Sequence, residues 1–136
     1  MRHILIGGAW PYAAGPLHIG HIASLLPGDV LARYFRAAGD RVIYVSGTDC
    51  HGTAVTLRAR HEGRTSREVS DDFHQAFDST FRALGFSFDL YSKTSHPQHI
   101  RYVQDFHKKL YDSEFVYERE TAALRCSNCE AFFSAR

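Results

Sequence analysis

The sequence predicts an α/β protein built on a small parallel sheet, and three observations carry that prediction. His3-Ile4-Leu5-Ile6-Gly7-Gly8 is a short apolar run ending in glycine, the pattern of a strand buried in a parallel sheet. From Ile19 to Ala38 apolar residues recur at helical spacing, at Ile22, Leu25, Leu26, Val30 and Tyr34. A second apolar run, Val42-Ile43-Tyr44-Val45, follows within Arg41 to Ser46. Strand, helix and strand make a βαβ unit, whose strands run parallel with a right-handed crossover.

The remaining elements follow in order. Residues 9–17 read as loop, with Pro11, Gly15 and Pro16 as breakers. Pro27-Gly28 interrupts the first helical pattern and predicts a kink or a split, and Gly39 predicts its stop. A second helix is expected from Thr53 to about His61, closed by Gly63. Thr65 with Glu68 three residues later has capping-box form. It opens a helix with Val69, Phe73, Ala76, Phe77, Phe81 and Leu84 on one face, closed by Gly85. Phe88 to Ser92 is a third strand candidate, and Ser95 is expected to cap a helix with Ile100, Val103, Phe106 and Leu110 inward. Phe115 to Glu120 reads as extended, and no repeat or low-complexity segment appears.

Composition narrows the function classes. A chain of 136 residues suffices for one modest domain with a real core, not for two large ones. A formal net charge of +1 gives no argument for a nucleic-acid or membrane partner. No apolar run is long enough to span a bilayer. The first ten residues lack the length and cleavage pattern of a signal peptide. Three cysteines, an odd number, argue against a secreted disulfide framework, so a cytoplasmic compartment is the expectation.

In a parallel sheet, ligands bind at the carboxyl ends of the strands. The loops at 9–18 and 46–53 are those ends. The first leads into His18-Ile19-Gly20-His21 at a helix N-terminus, where free N–H groups and the helix dipole favour an anion. Gly20 admits close approach to the backbone, and two imidazoles offer donors to phosphate oxygens. His18 as a mere cap and His21 as a surface residue is the competing reading. The glycine-rich entry and the strand-to-helix position favour phosphate binding. Asp49, at the end of the second strand, suits a charge-assisted hydrogen bond to the amino group of an amino acid. A helix-capping role competes, because a helix starts just after it. Trp10 and Tyr12 flank the first loop, where core packing competes with a role as pocket walls. Near the end, Cys126-Ser127-Asn128-Cys129 supplies half of a tetrahedral zinc site. A redox pair is the alternative, but such a pair sits at a helix start, and this one follows an extended stretch.

The tetrapeptide His18-Ile19-Gly20-His21 resembles the first signature of the class I aminoacyl-tRNA synthetases. The approach Ala9-Trp10-Pro11-Tyr12-Ala13-Ala14-Gly15-Pro16-Leu17 and the segment Val45-Ser46-Gly47-Thr48-Asp49-Cys50-His51-Gly52-Thr53 resemble the methionyl branch of that family. The matches fall in the right order and the resemblance covers essentially the whole chain. Ala14 stands where the family usually has asparagine, and Ala54 where proline is usual.

The resemblance implies the first half of a Rossmann-like catalytic domain over residues 1–117. It implies the start of a connective, zinc-binding insertion over 118–136, with Cys126 and Cys129 opening a zinc knuckle whose partner cysteines are absent. It also implies a two-step ligase. Methionine attacks Mg²⁺-bound ATP to give methionyl-adenylate, and the terminal ribose hydroxyl of tRNA(Met) then takes the aminoacyl group. His18, Gly20 and His21 would hold ATP. Ala9, Trp10, Tyr12 and Asp49 would hold methionine, and His51 matches the motif with no chemistry assigned. The family's lysine-rich second signature and anticodon-reading domain lie outside this sequence, so the resemblance implies an incomplete, inactive piece of the enzyme. A synthetase for leucine, isoleucine, valine or cysteine is opposed by the Trp-Pro-Tyr and Asp-Cys-His-Gly segments. A small nucleotidylyltransferase sharing the His-x-Gly-His signature leaves the Cys-x-x-Cys pair unexplained. A truncated, non-catalytic nucleotide-binding relative remains open.

Overall fold

The computed structural model describes residues 1–120, 122–128 and 132–133, in two compact units, Met1–Arg101 and Tyr102–Arg136. In the first unit β1 (His3–Gly7), β2 (Arg41–Thr48) and β3 (Leu90–Lys93) form one sheet in the order β1-β2-β3. Both pairings are parallel, from His3↔Arg41 to Gly7↔Val45 and from Val45↔Leu90 to Thr48↔Lys93. Helix α1 (Ile19–Ala37) joins β1 to β2, α2 (Thr53–Glu62) and α3 (Ser66–Ala83) join β2 to β3, and α4 (Pro97–Asp112) follows. The expected α/β architecture with parallel strands is therefore present. The central strand β2 is also the most buried, and Tyr44, Ser46 and Thr48 have no exposed surface.

The Pro27-Gly28 pair does not split α1, which is one helix from Ile19 to Ala37. Proline removes one donor from a helix interior, but this turn is braced by the sheet. Tyr44 donates its hydroxyl to the Leu25 carbonyl at 2.8 Å. A Cβ on Gly28 would stand 2.9 Å from that same hydroxyl oxygen. The glycine thus marks a close approach of helix to strand.

The inward stripe on α1 is narrower than its spacing predicts. Leu25, Asp29 and Ala32 are buried, whereas Leu26, Val30 and Tyr34 are exposed. One residue along a helix is a rotation of about 100°, so 26 lies on the flank of the face that 25, 29 and 32 bury, and 30 and 34 lie progressively toward the opposite side. Asp29 is the unexpected member. Its carboxylate accepts from the Ser87 N–H and hydroxyl, both at 2.6 Å, and from Arg33 Nε at 2.7 Å. Burial pushes this carboxyl up, but the Ser87 and Arg33 hydrogen bonds outweigh it and hold the group below its ordinary value. The Arg33 guanidinium also donates to the Gly85 carbonyl, so the carboxylate ties the turn after α3 to α1.

Thr65 and Glu68 cap α3 reciprocally, as their spacing predicts. Val69, Phe77 and Phe81 are buried. Leu25, Phe77 and Phe81 form the core, with Leu17, Ile22, Phe73, Phe86, Phe88 and Tyr91 against it. Ala76 and Leu84 were expected on the same face but are exposed. Leu84 is the helix C-cap, where the chain turns away toward Gly85 at φ +77. The final helix begins at Pro97, and the predicted cap Ser95 is not used. His96 Nδ1 accepts from the Gln98 N–H at 3.3 Å instead. Proline suits the first helical position because its missing donor costs nothing there. The stripe Ile100, Val103 and Phe106, expected inward, is exposed, and α4 contains no buried residue.

One face of the sheet is also open. Leu5 pairs in register with Ile43, and they are 72% and 56% exposed, with Leu90 at 57% on β3. Parallel sheets are normally covered on both faces, so this apolar surface is what an incomplete layer leaves. In the second unit β4 (Leu124–Arg125) pairs antiparallel with β5 (Phe132–Phe133).

The different burial of two residues in one sequence pattern is measurable. Phe77→Ala should destabilise the chain by about 3–5 kcal/mol through the cavity it leaves, whereas Leu84→Ala should cost less than about 1 kcal/mol. Urea unfolding of both variants checks the contrast.

Candidate functional site

The pairing of β1 with β2 continues past the regular strands into the two loops that the sequence singled out. Gly8 N–H donates to the Val45 carbonyl at 2.8 Å. Further on, Asp49 N–H donates to the Pro11 carbonyl at 2.8 Å and Ala13 N–H to the Asp49 carbonyl at 2.9 Å. Tyr12 and Asp49 are thereby paired in parallel register. Ser46 adds a hydroxyl bond to the Ala9 carbonyl at 2.7 Å. Ala9, Trp10, Tyr12 and Asp49 are therefore brought together at the carboxyl ends of adjacent strands.

Glycines shape this corner by admitting aromatic rings. A Cβ on Gly47 would come within 2.5 Å of both Trp10 Cζ3 and the Ser92 carbonyl oxygen, so the indole lies directly on the β2 backbone. His99 also contacts the indole, with ring centroids 5.9 Å apart and planes inclined by 37°. Tyr12 lies over Gly52, whose φ of +128 favours glycine. Trp10 is half-buried and Tyr12 is 59% exposed, which suits pocket walls better than core.

Asp49 is half-buried. Its Oδ1 accepts from the His51 N–H at 3.1 Å and, weakly, from the Thr94 hydroxyl at 3.5 Å. Among the described residues its Oδ2 carries no hydrogen bond. The N-cap of α2 is Gly52, so Asp49 braces its own turn and leaves one carboxylate oxygen to offer. His51 is exposed and contributes only its N–H.

His18 and His21 form a reciprocal cap at the start of α1. His18 Nδ1 accepts from the Gly20 N–H, and His21 Nδ1 accepts from the His18 N–H, each at 3.1 Å. The rings lie 3.9 Å apart, tilted by 39°. A ring that accepts at Nδ1 carries its neutral proton on Nε2. Both imidazoles therefore carry an Nε2–H donor that the cap does not use. Gly20 is part of the device, since a Cβ there would stand 2.9 Å from His18 Cε1. The competing sequence readings, cap and phosphate donor, are compatible: Nδ1 serves the cap and Nε2 remains for a ligand.

The cysteines are assigned no part in this corner. Cys50 is buried, with its thiol 3.6 Å from the Thr48 carbonyl. Cys126 is half-buried just after β4, and Cys129 lies outside the described residues. No group of three or more metal-ligating side chains occurs among the described residues. The Cys-x-x-Cys pair alone is two of the four ligands a structural zinc requires, so these residues do not fit a complete site.

Sequence reasoning missed His74, Thr94 and His99. Each lies in a helix or loop distant in sequence, without motif spacing to mark it. Gly47 was readable in part, because glycine inside a strand signals a close backbone approach.

Burial, and next the neighbouring His18, lowers the His21 pKa from its ordinary 6.5. Burial, and next Lys93, lowers that of His74. In both cases the unfolded chain binds a proton more readily than the folded one. Their contribution to stability is complete above the unfolded value of about 6.5 and is lost as pH falls through and below it. The urea midpoint should fall between about pH 7.5 and 5.5, and His74→Asn should flatten that dependence.

Among known proteins, the family model for tRNA synthetases class I (M) matches residues 4–136. Methionine–tRNA ligase 1 of Alkaliphilus oremlandii is 52% identical over 134 residues, covering 98% of this chain and 25% of that protein. The methionine–tRNA ligase of Streptococcus pneumoniae strain CGSP14 is 49% identical over 133 residues, covering 98% and 24%. The chain thus spans about a quarter of the length of the curated relatives it matches. In structure it is similar to Mycobacterium tuberculosis methionyl-tRNA synthetase in complex with methionyl-adenylate. The TM-score is 0.81 at 24% identity, covering 83% of this chain and 22% of that one. At that identity the likeness concerns the fold, the Rossmann-like α/β arrangement.

Proposed function

Since the chain belongs to the class I tRNA synthetases of the methionine (M) family, we propose that it forms the first half of the catalytic domain of a methionine–tRNA ligase. Residues 1–117 would be that half, and 118–136 would begin a connective insertion. The observation that carries the reading is the Tyr12–Asp49 pairing. It joins both motif loops in one corner beside the histidine-capped terminus of α1.

In the proposed reaction the carboxylate of methionine attacks the α-phosphorus of ATP. A bond forms between carboxylate oxygen and phosphorus, and pyrophosphate leaves with the electron pair of the broken bond. The 2′- or 3′-hydroxyl of the terminal ribose of tRNA(Met) then attacks the activated carbonyl and AMP departs. No protein nucleophile is needed, so the side chains act by positioning and by stabilising charge. His18 and His21 donate from Nε2–H to phosphate oxygens, and the free N–H groups of α1 add their dipole. Asp49 holds the substrate ammonium through Oδ2. Ala9, Trp10 and Tyr12 enclose the thioether, for which aromatic rings are favourable partners. Mg²⁺ enters with ATP. Zinc is assigned no step, because Cys126 and Cys129 are half of its ligand set. The methionyl-adenylate of the Mycobacterium protein is the intermediate this scheme requires. Among the described residues no helix is long and apolar enough to cross a membrane, and the proposed location is the cytoplasm, where tRNA is charged.

A chimera tests this reading. In it the chain replaces the matching quarter of the Alkaliphilus relative, and methionine-dependent ATP–pyrophosphate exchange is measured. The chimera should be active, and His18→Ala or His21→Ala should lower kcat by about 10²–10³. Asp49→Ala should raise KM for methionine far more than KM for ATP. An inactive, folded chimera, or histidine variants within about twofold of the parent, would refute the assignment.

A further inference from the structure

We propose that His74 is a positioning residue for the amino-acid half of the site: from α3 it clamps the Thr48 hydroxyl and so fixes the strand end that presents Asp49. This inference rests on the function proposed above, and no motif in the sequence points to it.

Thr48 is the last residue of β2 and is fully buried. Its hydroxyl sits between two rings, 2.9 Å from His74 Nδ1 and 3.2 Å from the Tyr91 hydroxyl oxygen. The two rings stack almost parallel, 5.7 Å apart and inclined by 6°. A buried hydroxyl left without partners costs more than its hydrogen bond gains, so this threonine needs His74 and Tyr91 in place. Both rings are held in usable form. Burial pushes the Tyr91 hydroxyl up to about 12, so it stays protonated.

The clamp belongs to a larger stitch between α3 and the sheet. Asp71, three residues before His74 and on the same helix face, pairs with Lys93 at 2.6 Å. Lys93 is the register partner of Thr48. Two polar links one helical turn apart therefore anchor α3 to neighbouring positions at the end of the sheet. From the other side, Thr94 donates its N–H to the Thr48 carbonyl at 3.0 Å and accepts the Cys50 N–H on its hydroxyl at 2.8 Å. Asp49 lies between these clamped neighbours. With Thr48 fixed, the Asp49 backbone keeps its bonds to Pro11 and Ala13, and its carboxylate keeps its direction. His74 touches no proposed substrate atom, so its effect passes through Thr48.

Two measurements test the proposal. The first uses the 136-residue chain itself and amide hydrogen exchange read by NMR. His74→Phe keeps the ring but removes the nitrogen. It should speed exchange at the Ala13, Asp49 and Cys50 amides by about five- to tenfold and leave the α1 amides from Asp29 to Ala32 unchanged. Thr48→Val, which removes the other end of the same bond, should reproduce the effect without adding to it. His74→Asn, which offers a side-chain nitrogen near the position of Nδ1, should restore protection. Unchanged exchange in both His74→Phe and Thr48→Val would overturn the clamp. The second measurement is ATP–pyrophosphate exchange in the chimera. There His74→Phe should raise KM for methionine by about five- to tenfold, with KM for ATP and kcat within about twofold. An equal rise in both KM values, or none in that for methionine, would overturn the positioning role. The exchange measurement is independent of the proposed activity, so a failed clamp and a failed function are told apart.

Discussion

Three backbone hydrogen bonds carry the β1–β2 pairing beyond its regular strands: Gly8 to Val45, Asp49 to Pro11 and Ala13 to Asp49. The site depends on them. Regular pairing ends at Gly7 and Val45, and without the extension the segment 8–13 would be an unconstrained loop. With it, the backbone on either side of Trp10 is fixed. The Trp10 indole can then lie on Gly47, and Tyr12 beside Asp49. Parallel strands place their carboxyl ends together, and the helices leaving those ends present their amino termini to the same edge. The groups proposed to face substrate thus come together as a consequence of strand order.

The rest of the first unit keeps β2 in place. α1 is held by Tyr44 through the Leu25 carbonyl and by Asp29 through Ser87. Arg36 donates to Asp89 at 2.6 Å, and Asp89 accepts the Tyr44 N–H at 2.7 Å. α3 contributes Phe77 and Phe81 to the core and His74 and Asp71 to the end of the sheet. Apolar packing supplies most of the stabilisation and the buried polar links fix register. The open face at Leu5, Ile43 and Leu90 is the counterpart. The sheet is thus packed specifically on one side and leaves apolar residues exposed on the other.

In the proposed function the histidine pair serves two purposes with one local feature. Helix termini leave backbone donors unsatisfied, and His18 and His21 satisfy two of them through Nδ1. The same bonds decide the tautomer and leave each Nε2–H outside the cap. The cap and the proposed phosphate contact therefore fall on different nitrogens of the same rings, and the cap needs Gly20 because a Cβ there would stand 2.9 Å from the His18 ring.

The sequence by itself determined the order and kind of the main elements of the first unit, because periodicity and punctuation are local. The capping box at Thr65 and Glu68, the glycine stops at 39, 63 and 85, and the strand at Val42–Val45 follow from neighbours within a turn or two. It also determined the candidate residues Ala9, Trp10, Tyr12, His18, Gly20, His21 and Asp49, since they fall in short motifs at strand ends. Tertiary structure decided which apolar residues are buried. Leu26, Val30, Leu84 and Phe106 share their spacing with core residues but stay about half exposed. It decided that Pro27-Gly28 is a contact with Tyr44, and that Asp29 is a buried anchor. It alone brought His74, Thr94 and His99 to the site, from positions 26 to 89 residues away from their partners Thr48, Cys50 and Trp10. The physical reason is that hydrogen bonds and ring contacts between distant segments are set by how elements pack, and packing leaves no periodic trace in the chain.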